Sequence, residues 1–209
     1  GQYLNDSEFI GEFVEFARQV GDAEALAQAL QMQAKGLPQT ANAPVRSSAL
    51  LLEAAILLID HLEDVHRGQS LLEESLKSWP ENLEALDRLA ETLEMQKDAE
   101  GLAKVWRKQV ELSLPGPHRG QKALRLAELY FEELDLGEDA LTLTQMALED
   151  LSDDPEVEQA ESLLERLSKD PDQSSSEVEL GSETDPDMLT EMSPEEVAKG
   201  LVERAEHLW

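Results

Sequence analysis

The fold is decided by residues 123–148, which read ALRLAELYFEELDLGEDALTLTQMAL. Apolar residues such as Leu124 and Ala127 recur three or four positions apart, which is the spacing of one face of an α-helix. Gly137 is typical of the turn that follows, and the pattern resumes through Ala147. The stretch therefore predicts two helices joined by a short turn, a helical hairpin.

The same hairpin is found twice more towards the N-terminus. Its first helix carries an alanine that recurs 35 and then 37 residues later, at Ala55, Ala90 and Ala127. Each unit closes near a proline, which cannot continue a helix, at Pro80, Pro115 and Pro155. A weaker fourth unit precedes them, with Ala17 on one helix and Gly21-Asp22 at its turn. One hairpin cannot bury both of its apolar faces, so the units must stack into a continuous core.

The chain is thus predicted to be all-α, a solenoid of stacked helical hairpins with three clear repeats and one weak repeat. The repeat domain spans 1–169, and Lys35–Ser47 is expected to be a long loop because it contains Pro38 and Pro44. Helices are expected over 7–20, 22–34, 46–63, 67–78, 82–95, 98–112, 119–134, 138–150 and 155–168.

This pattern resembles the tetratricopeptide repeat, a two-helix unit of about 34 residues. The resemblance covers roughly residues 7–165 and is best in the third unit, at Ala127, Tyr130, Ala140, Ala147 and Pro155. Ser75 and Gln109 stand where the family usually has alanine. The resemblance implies that the first helix of each hairpin lines a concave groove, which holds a peptide or a helix of a partner protein.

Carried onto this chain, the resemblance gives the groove positions. The residues two before each repeat alanine are Glu15, Glu53, Arg88 and Arg125, and those just after it are Arg18, Ile56, Glu91 and Glu128. Seven of the 17 basic residues fall between Lys97 and Arg125. We therefore expect partner binding at Arg88, Lys122, Arg125, Glu91 and Glu128, with the cations capturing an acidic segment. The competing interpretation is that these cations pair with glutamates of the same chain.

Some tetratricopeptide proteins clamp a terminal carboxylate with lysine, arginine and asparagine. Arg125 matches one such position, whereas Lys122 is displaced by one residue and the asparagines are absent.

The 209 residues carry a formal net charge of −29 and include no cysteine. This charge opposes binding to nucleic acid and to anionic membranes, and it favours basic protein partners. The absence of cysteine rules out disulfides and thiolate metal sites, and it fits a cytoplasmic location. No run of apolar residues is long enough to span a membrane. Because the sequence opens with Gly1 rather than methionine, we expect its natural N-terminus to lie further upstream.

The last forty or so residues differ in composition from the rest. Residues 170–192 include eight acidic and no basic residues, which predicts a disordered acidic linker. Ser193-Pro194-Glu195-Glu196 has the form of a helix start, and a short helix is expected over 193–209. One hypothesis is that the acidic linker folds back onto the basic cluster and competes with outside ligands.

No motif for catalysis or for a cofactor is found. His61 and His66 lie five residues apart, so they do not share a helix face, and a zinc-protease site needs a spacing of four. Acidic clusters such as Asp150–Glu158 lack the pattern of a calcium-binding loop. We therefore expect no enzyme, metal or cofactor, and a non-catalytic adaptor for protein partners. Two alternatives are a docking region of a larger protein whose catalytic domain lies outside this chain, and a helical-bundle enzyme.

Overall fold

A computed structural model describes residues 6–152 and 154–169. Within these residues the chain is entirely helical, as predicted. The α-helices are α1 (Asp6–Val20), α2 (Ala23–Lys35), α3 (Ala43–Ile56), α4 (Val65–Ser78), α5 (Leu83–Gln96), α6 (Ala99–Leu112), α7 (Pro117–Glu132), α8 (Gly137–Asp150) and α9 (Val157–Lys169). A π-helical segment, Leu57–His61, directly follows α3.

The helices form an open array. Each helix packs against the next one in sequence from α1 to α9, and α7 also contacts α9. A closed bundle would bring the first helix against helices late in the chain, and no contact of comparable extent does so within the described range. The predicted solenoid of stacked hairpins is therefore confirmed.

Small residues mark the places where helices cross. The repeat alanines Ala55, Ala90 and Ala127 are all buried. A Cβ added to Gly68 on α4 would lie 2.3 Å from the Cγ1 atom of Ile59, so this crossing requires glycine. Ser75, which stands where alanine is usual, is also buried, and its hydroxyl lies 2.7 Å from that of Ser48. Leucines from neighbouring helices fill the space between these crossings.

Three of the four turns within the hairpins share one construction. In each of the first three, a residue in the left-handed region precedes an aspartate, at Gly21-Asp22, Glu63-Asp64 and Lys97-Asp98. Each aspartate side chain accepts a hydrogen bond from the backbone three residues on and so caps the second helix. The fourth turn has Asp135 in the left-handed region, but Leu136 occupies the cap position and makes no side-chain cap.

Among the helices that begin earlier than the sequence indicates, α3 and α7 do so at a proline. Pro44 and Pro117 were expected in loops, but each lies in the first turn of its helix, at the start of α3 and α7. Proline is tolerated there because the first backbone N–H groups of a helix have no partner within the helix. The long loop before α3 is correspondingly shorter, and it ends at Asn42.

The last helix differs from the first in what it exposes. α9 buries Ala160, Leu163 and Leu167 and packs against α8 and α7. α1, in contrast, leaves Phe9 and Phe16 largely exposed.

All nine helices fall within one compact unit, Gly1–Asp170. The predicted linker 170–192 and helix 193–209 lie outside the described residues, and the domain boundaries remain predictions. Within the described range, no helix has both the length and the apolar character needed to cross a bilayer.

Candidate partner-binding face

The first helices of the successive hairpins, together with α9, share one face. Ion pairs join consecutive members of this series, and we call the surface that they span the odd-helix face. The pairs are Arg18–Glu53 at 2.7 Å, Arg88–Asp60 at 2.5 Å, Lys122–Asp87 at 3.7 Å and Arg166–Glu132 at 2.8 Å. The groove positions inferred from the resemblance therefore include residues that bridge one repeat to the next.

Arg88 is fixed by two carboxylates. Its guanidinium donates to Asp60 of the π-helical segment and to Glu91 one helical turn further on, at 2.7 Å. Burial alone would lower the pKa of Arg88, but the two carboxylates outweigh it and the pKa is raised. Its Nε atom is buried without a hydrogen-bond partner among the described residues. Arg88 thus has a structural role, and its charge is largely balanced by carboxylates of the same chain.

Lys122 and Arg125 lie at a cleft between α5 and α7, of about 310 Å³. They form the α7 wall of this cleft, and the α5 wall carries three carboxylates, Asp87, Glu91 and Glu94. Trp106 of α6 lies between the two walls and supplies an apolar surface. The cleft therefore offers an aromatic ring together with two cations and three carboxylates, one of which, Asp87, pairs with Lys122.

Arg125 is the cation of this cleft that remains available. Its side chain is exposed and forms no ion pair with any other residue within 6–152 or 154–169. Lys122, in contrast, lies 3.7 Å from Asp87, whose carboxylate also accepts a hydrogen bond of 2.8 Å from Gln109.

Glu128 lies one helical turn beyond Arg125 and has a raised pKa. The main cause is burial, and the neighbouring charge of Glu132 adds to it. Arg166 and Arg125 lower the pKa and offset part of the rise. The carboxylate of Glu128 is thus held in an environment that disfavours its charge.

Most of the other cations between Lys97 and Arg125 pair within the chain. Arg107 contacts Tyr130 and Asp139, Lys108 contacts Glu111, and Arg119 grips Asp150 through two hydrogen bonds. The grip of Arg119 lowers the pKa of the Asp150 carboxyl. Among the described residues, Lys97, Lys104 and Arg125 form no ion pair. Intramolecular pairing thus accounts for much of the basic cluster.

A second cleft, of about 410 Å³, lies between α3 and α5. Val45, Ala49, Leu52 and Ile56 line it from α3, and Trp79 and Asn82 line it from the segment that leads into α5. Of the groove positions expected from the sequence, only Glu53 and Ile56 line this cleft. The sequence signal that could have identified the cleft is the spacing of its α3 residues, since Val45, Ala49, Leu52 and Ile56 lie four, three and four positions apart.

The two histidines of interest show no metal site. Within the described part of the chain, no group of three or more histidine, aspartate or glutamate side chains is placed to hold a metal ion.

Among solved structures, the chain is similar to the crystal structure of the MamA protein. That likeness has 12% sequence identity over 78% of this chain and 86% of the other, with a TM-score of 0.45. A second similar structure, MamA MSR-1 C2, has 15% identity over 81% of this chain and 99% of the other, with a TM-score of 0.41. No protein-family model and no curated protein matches the chain. Because both TM-scores lie below 0.5, the fold and the site rest on the chain's own helices and contacts.

Proposed function

We propose that this chain is a non-catalytic scaffold of the tetratricopeptide kind, which binds a segment of a partner protein on its odd-helix face. The observation that supports the proposal most directly is the cleft between α5 and α7. Its aromatic floor and available arginine suit an apolar side chain that is followed by a carboxylate. A stacked array supports this role because its extended surface is built from repeated helices rather than from one enclosed pocket.

The partner segment is proposed to be acidic at this cleft. A carboxylate that reaches Arg125 meets an exposed guanidinium, whereas one that reaches Arg88 must compete with Asp60 and Glu91. We therefore assign capture to Arg125 with help from Lys122, and we assign Arg88 to holding the wall of the groove. Glu91 and Glu128 would restrict where along the face the acidic segment can lie, because like charges repel.

The test compares Arg125→Glu with Lys104→Glu. Both change the net charge by the same amount, but Lys104 lies on α6, exposed and outside the cleft. Binding of a fluorescein-labelled peptide of alternating leucine and glutamate is followed by fluorescence anisotropy. Because a hydrogen bond to a charged group contributes about 1.5–3 kcal/mol, Arg125→Glu is expected to weaken binding at least about tenfold.

The control variant is expected to change the affinity less than about twofold, since exposed distant charges are screened by salt. Equal weakening by both variants would show that only the net charge matters and would refute the assigned site. Unchanged affinity in Arg125→Glu would refute it as well.

A further inference from the structure

The α3–α5 cleft has a feature that the proposed function does not use. Val45, Ala49, Leu52 and Ile56 form one stripe along α3, at the spacing of a single helix face. Val45 and Ala49 are exposed, and Leu52 is buried at the base. The cleft is thus an apolar strip rather than a gap between charged side chains.

The exposed part of this strip, Val45 and Ala49, is not needed to build the core, whereas Leu52 belongs to the core and Ile56 packs against it. Another face of α3 already packs in the interior through Leu51, Ala54 and Ala55, each almost fully buried. A helix that is apolar on one side only would suffice for a surface position in the array. α3 is therefore apolar on two faces, and the second face opens into the cleft.

The rim of the cleft is acidic. Glu53 and Glu84 belong to its lining, from α3 and from the first turn of α5. Glu53 already accepts a hydrogen bond from Arg18, while Glu84 is exposed and forms no ion pair within the described range. No lysine or arginine lines this cleft. It thus differs from the α5–α7 cleft, where two cations stand on one wall.

From this geometry we propose that the α3–α5 cleft binds a basic amphipathic helix of a partner protein. Leucine-sized side chains of that helix pack on Val45, Ala49 and Trp79, and its lysine or arginine side chains meet Glu84. The proposal rests on the proposed function and adds a second subsite with the opposite charge preference. A second copy of this chain is disfavoured as the occupant because each copy carries a net charge of −29.

The test uses three labelled peptides of equal length: one of leucine and lysine in amphipathic helical order, one with serine for leucine, and one with glutamate for lysine. Affinities are measured by anisotropy on the whole chain at about 0.15 M salt, where the Debye length is about 8 Å. The leucine–lysine peptide is expected to bind at least about tenfold more tightly than the serine–lysine peptide, since each buried leucine contributes about one factor of ten or more.

Two variants locate the binding. Ala49→Trp fills the cleft from an exposed helix position and is expected to weaken the leucine–lysine peptide about tenfold or more. Glu84→Lys is expected to weaken it about three- to tenfold. Ala41→Trp and Glu81→Lys are the matched controls, since both residues are exposed and neither lines the cleft. Far-ultraviolet circular dichroism verifies that each variant retains its helices.

Several results would overturn the proposal. Equal affinities of the leucine–lysine and serine–lysine peptides would show that apolar contacts do not contribute to binding. Equal losses of affinity in Ala49→Trp and Ala41→Trp would place the binding site elsewhere. A dimer in sedimentation analysis that Ala49→Trp disrupts would make the cleft a self-association site instead. The alternating leucine–glutamate peptide that tests the proposed function is titrated on the same variants. If it still binds through Arg125 while the basic peptide does not bind, this inference fails and the proposed function stands.

Discussion

Replacement of Gly68 by alanine tests how closely α3 and α4 must approach. The added Cβ would lie 2.3 Å from Cγ1 of Ile59 and 3.2 Å from the backbone oxygen of Ala55. The first distance is far below van der Waals contact, and Cγ1 is attached directly to the Cβ of Ile59, so it cannot swing away freely. The second atom belongs to the backbone of α3. Either the helices separate or Ile59 leaves its rotamer.

The expected cost follows from two opposing effects. Forcing an extra methyl group into a packed crossing costs about 1–3 kcal/mol. Alanine in place of glycine stabilises a helix by about 0.8–1 kcal/mol because its helix propensity is higher. Because an approach of 2.3 Å is a severe overlap, the upper part of the first range, about 2–3 kcal/mol, applies, and we expect Gly68→Ala to lower the free energy of unfolding by about 1–2 kcal/mol. Displacement of Ile59 would also move Asp60, its neighbour in sequence, and so loosen the ion pair with Arg88.

Gly11→Ala is the matched control. Gly11 also lies within a helix, but a Cβ added there would meet no heavy atom within 4 Å. The same substitution is therefore expected to raise the free energy of unfolding by about 0.8–1 kcal/mol. Urea denaturation followed by circular dichroism measures both variants, provided that the slope of the transition stays unchanged.

Opposite signs for the two variants would support the close crossing. If Gly68→Ala were as stable as the wild type or more stable, the contact with Ile59 would not constrain the array. An Ile59→Ala background gives a further check because it removes the clashing atom. In that background Gly68→Ala should lose most of its cost, which a double-mutant cycle detects as a coupling energy.

Two further predictions concern the fourth turn and the odd-helix face. Leu136→Asn supplies the missing cap of α8 and is expected to raise the free energy of unfolding by about 0.5–1 kcal/mol, whereas Leu136→Ala should not, as urea denaturation can verify. Glu128→Gln is expected to raise it by up to about 0.5 kcal/mol at neutral pH. The folded-state pKa of Glu128 is raised, so the folded protein holds the carboxyl proton more tightly than the unfolded chain does. The stability that comes from this difference is fully present below the unfolded-state pKa and is lost as pH rises through the folded-state pKa. The gain should therefore shrink as pH falls towards the ordinary pKa of the carboxyl, and a gain independent of pH would contradict this reasoning.

The sequence predicted the array well because local spacing carries most of the required information. Alanines such as Ala55 and Ala127 recur at the repeat length because only small side chains fit where helices cross, and the structure buries both. The turn at Gly21-Asp22 could be located from its glycine, whose conformational freedom is local, whereas the turns at Glu63-Asp64 and Lys97-Asp98 contain neither glycine nor proline. The starts of α3 and α7 were misplaced for a related reason. Pro44 was assigned to a loop, although proline is equally compatible with the first turn of a helix.

The π-helical segment was beyond sequence reasoning. Residues 46–63 have the spacing of an uninterrupted α-helix, but Leu57–His61 is π-helical, with backbone hydrogen bonds that join residues five apart instead of four. Ile59 of this segment meets Gly68 of the next helix, so the contact is between residues of different helices. Periodicity in one segment cannot report how that segment fits its neighbour. For the same reason the role of Asp60, which pairs with Arg88, was not anticipated.

The candidate site also depends on contacts between helices that the periodicity of the sequence does not predict. Arg88 and Arg125 occupy equivalent repeat positions, and the sequence therefore treats them alike. The structure separates them because Arg88 faces Asp60 of the preceding hairpin, while Arg125 has Lys122 and the ring of Trp106 at the same cleft. Whether a cation in a repeat array is available to a ligand is thus decided by the residue that the previous repeat places opposite it. Lack of an ion pair does not by itself distinguish Arg125, since Arg46, Lys97 and Lys104 are also exposed and form no ion pair among the described residues. Its position beside Lys122 on one wall of the α5–α7 cleft does distinguish it. The availability of Arg125 at this cleft is accordingly the strongest physical reason to look for the proposed partner between α5 and α7.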